Sequence, residues 1–216
     1  MHRFTLVFLA LAALVACPAV PGSDGDAIGL IDPAESHGVV ESGPAQVAPR
    51  SAAAGHPDAE WLGSPSFAPG QGSRRTVVLH AIGSTADAAL ARMQDPAAGF
   101  STHYLVTSEG RLLQLVAESE RALHPADDGR SIVIGLEPVA GDTSRFADEL
   151  YRTAAGLVRF LADGHGISID RLHVVGAEEA ARRVGASTPG GDPGPGFDWL
   201  RQIGRASCRE RVCYVV

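Results

Sequence analysis

The chain has 216 residues, 45% of them hydrophobic and 20% charged, which is enough apolar material for one domain with its own core plus extra segments. A formal net charge of −7 excludes nucleic acid and anionic membrane surfaces as partners held by electrostatics alone. All 18 basic residues are arginine, so a GxxxxGK[ST] phosphate loop cannot occur; internal repeats and a GxSxG nucleophile elbow are also absent.

The N-terminus reads MHRFTLVFLALAALVAC, one arginine followed by an apolar run from Phe4 to Ala16. That run is too short to span a bilayer and right for the h-region of an export signal. Its end, Leu14-Val15-Ala16-Cys17, resembles a bacterial lipoprotein signal, which implies residues 1–17 as signal and Cys17 as lipid anchor. The alternative is an ordinary signal peptide with a chance cysteine; export is expected on either reading. Acyl chains contribute about 0.8 kcal/mol of membrane affinity per buried CH₂, so an anchored protein on the periplasmic side of the cell envelope needs no transmembrane helix. Residues 18–60 are rich in Pro, Gly and Ala without hydrophobic period and read as a disordered tether. EWLGSPSF, from Glu60 to Phe67, is expected to dock on the domain through Trp61 and Phe67.

The domain is expected over residues 61–202. RRTVVLHAI, from Arg74 to Ile82, predicts a buried strand that delivers His80 near its end. STADAALARMQD predicts a helix capped by Ser84 or Thr85. THYLVTSEGRLLQLVAE predicts two strands turning at Ser108-Glu109-Gly110. SIVIGLEPV is a continuous apolar run, as a central strand requires. Phe146, Leu150, Ala154, Leu157 and Leu161 form a stripe that predicts a long amphipathic helix ending at Gly164. A short strand through His173 to Val175 and a short helix follow. Strands and helices alternate without a strict βαβ rhythm, so the expected class is α/β (α+β mixed), a single mixed β-sheet flanked by helices. Residues 203–216 change texture abruptly. Ile203-Gly204-Arg205-Ala206 matches one translated frame of a sequencing adapter, so the segment reads as non-native read-through or as a real tail in which Cys208 and Cys213 pair.

GGDPGPGFDW, from Gly190 to Trp199, holds one carboxylate, Asp192, between a glycine pair and stiff prolines. Together with His80, FSTHYLV, RALHPA, SIVIGLE and HVVGAEEAA, it forms an ordered series that resembles the zinc-dependent N-acetylmuramoyl-L-alanine amidases, the type-2 family related to peptidoglycan-recognition proteins. The resemblance covers roughly Trp61 to Gln202. It implies a zinc held by two histidines and an aspartate or cysteine, with an open position for water whose pKa falls to about 7. His80 and Asp192 match two of those metal ligands. His103, Tyr104 and His124 match the family's substrate groove. Peptidoglycan or muropeptides, a membrane reached through the lipid anchor, and a monomeric state are the partner expectations; no nucleic acid is expected.

The third metal position falls on Ala177, whose methyl group binds no metal. The family's catalytic glutamate falls on Gly135 and its lysine on Gly190. On a continuous strand His173 would lie roughly 13 Å from Ala177, and Glu137 would be about 7 Å from Gly135, too far for a general base. Glu178 is adjacent but should point elsewhere. The resemblance therefore implies a peptidoglycan-directed lipoprotein in which hydrolysis of the muramoyl–L-alanine amide is impaired or lost, a pseudoenzyme with zinc weak or absent. The alternative is an active amidase with a remodelled metal shell, acting in cell-wall turnover.

Overall fold

The computed structural model describes residues 55–187 and 191–208. Cys17 and the signal, the tether up to residue 54, Gly190 and residues 209–216 lie outside the described residues. Cys208 is disulfide-bonded.

Among the described residues, eight strands and four α-helices follow in the order β1 (Glu60–Trp61), β2 (Phe67–Pro69), β3 (Thr76–Ala81), α1 (Ala86–Gln94), β4 (Tyr104–Val106), β5 (Leu112–Gln114), β6 (Glu120–Ala122), β7 (Ser131–Leu136), α2 (Asp148–His165), β8 (Val174–Gly176), α3 (Ala177–Arg183) and α4 (Trp199–Ser207), with a 3-10 turn at Pro96–Ala98. Six strands form one mixed sheet in the order β1-β5-β4-β7-β3-β8, and β2 and β6 make a separate antiparallel pair. Within the sheet only β4 and β5 pair antiparallel; β4, β7, β3 and β8 run parallel. The expected mixed sheet with flanking helices is the architecture found.

Both faces of this sheet are covered, which explains the continuous apolar runs in β3 and β7. Alternate side chains divide between the two faces. Val77, Leu79, Ile132, Ile134 and Leu136 pack with Leu150, Ala154, Leu157 and Leu161 of α2 and with Ala206 of α4. Val78, Val133 and Val175 face the opposite layer and meet Ala177, Ala180 and Ala181 of α3. Beside them, Leu105, Leu113 and Leu115 meet Ala86, Ala89 and Met93 of α1. His80 stands two residues after Val78 and Gly135 two residues after Val133, so both belong to the α1 and α3 face.

Several boundaries differ from expectation. The helix α2 passes Gly164 and ends at His165, where Gly166 takes the left-handed conformation (φ 68°) and returns its N–H to the carbonyl of Ala162. β8 starts after His173, whose ring is held by Asp170 at 2.8 Å from Nδ1, and Ala177 already opens a helix. Packed structure begins before residue 61: the His56 amide donates to the Tyr104 hydroxyl (3.1 Å), and β1 closes the edge of β5. At the other end α4 continues through residues 203–207, with Ala206 fully buried.

Candidate functional site around His80

β3 presents His80 on the face between α1 and α3. Its Cα partner across the β7 ladder is Gly135, and on the other side Leu79 pairs with Gly176, one residue before Ala177. The imidazole is therefore flanked by positions that carry a hydrogen atom and a methyl group. Space at Gly135 is already taken. A Cβ there would lie 3.0 Å from Ile82 Cγ2 and 3.1 Å from Leu105 Cδ1. Ala177 is fully buried against α3 and the sheet.

Asp192 reaches the same end of the sheet, but its carboxylate is engaged. Oδ1 accepts the backbone N–H of Glu178 at 3.3 Å, in the first turn of α3, and Oδ2 accepts that of Gly194 at 3.4 Å. A Cβ on residue 176 would meet Oδ1, so the carboxylate crosses β8 where the chain carries no side chain. Glu178 directs its side chain to Arg182, 3.7 Å away. Glu137 accepts the amides of Ala86 (2.6 Å) and Ser108 (2.8 Å), tying the start of α1 to the β4–β5 turn. Neither glutamate joins His80.

Around the imidazole is a small aromatic group. The ring centroid of His124 is 4.6 Å from that of His80, and Phe100 lies 5.9 Å from His80 and 5.3 Å from His124. Arg92, from the last turn of α1, places its guanidinium 4.7 Å from the Phe100 centroid. These residues line a cavity of about 280 Å³. Burial, ahead of any contact with the Gly191 carbonyl, pushes the His80 pKa down to about 4. Burial and then the neighbouring histidines push that of His124 to about 3. Both rings are neutral at physiological pH. His80 Nδ1 is buried with no hydrogen-bond partner among the described residues.

The site residues expected from sequence thus separate into two groups. His80, Asp192, Ala177, Gly135 and His124 converge on one end of β3, whereas His103 and Tyr104 do not line the cavity. His103 is fully buried, accepting the Val133 amide at Nδ1 and bonding the Glu120 carbonyl through Nε2, each at 3.0 Å. Tyr104 is fully buried as well, its hydroxyl donating to Glu118, and burial with that carboxylate raises its pKa. Both side chains lie in the interior, away from the cavity. Arg92 was not singled out from the sequence; the usable signal was its place on the same α1 face as Ala88 and Ala89, four and three residues earlier.

The residues here do not make a three-donor metal set. Position 177 supplies a methyl group, and among the described residues no group of three or more His, Cys, Asp or Glu side chains is placed to hold a metal ion.

Comparison with known proteins agrees with the fold. The structure is similar to the crystal structure of an AmpD derivative at 22% identity, covering 70% of this chain and 96% of that one with a TM-score of 0.56. It also matches the solution structure of Citrobacter freundii AmpD at 24% identity, covering 73% and 96%, with a TM-score of 0.49. No curated protein sequence matches the chain. The sequence profile of the type-2 amidases, described as N-acetylmuramoyl-L-alanine amidase, matches residues 70–195, a span that runs from before β3 to beyond Asp192. On that match, supported by the sheet order and the His80 end of β3, the chain belongs to the N-acetylmuramoyl-L-alanine amidase family.

Proposed function

We propose that this chain is a peptidoglycan-directed member of its family that binds cell-wall material and has lost hydrolysis of the muramoyl–L-alanine amide. The observation that carries this reading is the pair of neighbours of His80, Gly135 on β7 and the Gly176–Ala177 step at the end of β8. A zinc of the kind the family generally uses needs three protein donors, and losing one costs orders of magnitude in affinity. The missing side chain at Gly135 also removes the nearest position for a general base, which must sit within hydrogen-bond reach of its proton. Electrostatic stabilisation of the transition state is lost with these groups.

The same reading takes the chain as an exported lipoprotein anchored at Cys17, standing off its membrane on the segment that follows. Its partners are then glycan and stem peptide in the cell envelope.

Metal analysis of the purified chain, dialysed against zinc, tests this directly. The expected content is well below one equivalent, with no release of stem peptide from sacculi. Near-stoichiometric zinc together with stem-peptide release overturns the reading in favour of an active amidase. In the reverse direction, Ala177→His is expected to regain zinc, because it returns a third donor beside His80 and Asp192; failure to gain any zinc counts against position 177 as the missing ligand.

A further inference from the structure

The cavity at His80 has an unusual charge balance for a place once expected to hold a metal cation. Its lining includes Arg92 as its cation and, among the described residues, no aspartate or glutamate. Asp192, one residue beyond the lining Gly191, is not part of the lining and accepts the amides of Glu178 and Gly194, although its charge is still felt at His80. Arg92 makes a ring contact with Phe100 and no ion pair with a described residue. His124 accepts the Ala126 amide at Nδ1 (3.1 Å), so its proton resides on Nε2, and that N–H has no partner among the described residues. A guanidinium and a neutral N–H donor thus border one small space, walled by Phe100, Met93 and Ile82. Two donors of this kind match an oxyanion, and a charged donor makes the stronger bond. At about 280 Å³ the cavity is at the low end for ligand sites, with room for an acid arm and part of a sugar rather than a whole muropeptide.

We propose that this cavity binds a carboxylate, and that its ligand is the lactyl carboxylate of N-acetylmuramic acid in glycan from which the stem peptide has been removed. The proposal rests on the non-hydrolytic reading above and deepens it. In intact peptidoglycan the lactyl carbonyl is part of an uncharged amide; cleavage by an active amidase leaves a carboxylate in its place. Arg92 distinguishes these two states by charge. The apolar wall of Phe100, Met93 and Ile82 takes the lactyl methyl group. The class of reaction that supplies this ligand is the hydrolysis that the chain itself no longer performs.

Calorimetric titration of the full chain with four probes tests the assignment. These are N-acetylmuramic acid, N-acetylglucosamine, the uncharged N-acetylmuramoyl-L-alanine amide, and free stem tetrapeptide as the other source of carboxylates. N-acetylmuramic acid is expected to bind at least about tenfold more tightly than the other three, as an Arg–carboxylate contact implies. Arg92→Gln, an exposed substitution compatible with folding, is expected to erase that preference, while Arg145→Gln, outside the cavity lining, leaves it intact. Equal or tighter binding of the uncharged amide, preference for the tetrapeptide, or no binding of any probe overturns the carboxylate assignment and leaves the non-hydrolytic reading standing. Release of L-alanine amide during the titration overturns the non-hydrolytic reading itself.

Discussion

His80 and Gly135 are Cα partners across the parallel ladder of β3 and β7, on the face of the sheet that α1 and α3 cover. Gly135 carries no β-carbon at that rung, and Ile82 and Leu105 hold methyl groups 3.0 and 3.1 Å from where one would stand.

Gly135→Ala is therefore expected to destabilise the chain by about 1–3 kcal/mol, as overpacking does. Combined with Leu105→Val, the loss should be smaller than the sum of the single losses, because the second change opens room for the first. Urea denaturation of the four proteins checks this; strict additivity would show that the space is not shared.

Asp192 acts on stability through the first turn of α3. Asp192→Ala is expected to cost about 0.5–2 kcal/mol, the range for a lost helix cap, and Asp192→Asn less, since an amide oxygen still accepts. Gly176→Ala should cost no more than Asp192→Ala, because the methyl group meets only the Asp192 side chain, which can swing away and at most gives up the same two amides. The order of the three midpoints in urea is the readout.

Arg74 is a buried clamp. Its guanidinium donates to the carbonyls of Glu118 (2.6 Å), Gly129 (2.8 Å), Ser131 (3.3 Å) and Glu120, joining β6 and the loop before β7 to the start of β3. Arg74→Ala leaves these buried acceptors unmet and is expected to cost about 3 kcal/mol or more. Arg74→Lys keeps the charge but not the fork of donors, so thermal unfolding should show it still well below the parent.

Acid should weaken the fold through its buried histidines. His103 is held neutral, its pKa pushed down to about 3 by complete burial, and His124 likewise to about 3. A histidine with a depressed folded pKa binds fewer protons folded than unfolded, so its contribution is complete above the unfolded value of about 6.5 and shrinks as pH falls. Between about pH 6 and 4 each ring removes up to roughly 1.4 kcal/mol per pH unit. Denaturation free energies at pH 7, 6, 5 and 4 should fall progressively; a flat profile over that window would mean the rings protonate in place.

Much of this architecture was legible in the chain. The stripe of α2, the hairpin at Ser108–Gly110 and the apolar runs of β3 and β7 follow from period and turn chemistry, and each formed where its pattern lies. Element ends were less legible. Gly164 and Gly166 are both plausible stops, and the one able to return its amide to Ala162 won. His103 and Tyr104 show why a motif does not locate a surface: in a strand covered on both faces, alternate positions are equally dry.

By itself, the sequence determined which chemical groups this protein possesses: a histidine near the end of a buried strand, an aspartate in a stiff turn, and no imidazole, carboxylate or ammonium at residues 177, 135 and 190. Those are identities, and folding cannot supply an absent functional group. Only the tertiary structure decided who stands beside whom. Strand order brings Gly135 against His80 from a separation of 55 residues, the turn of α3 draws Asp192 onto backbone amides, and α1 lays Arg92 over Phe100. Such neighbours depend on long-range pairing and on how two helices cover one face, and local pattern along a chain carries neither.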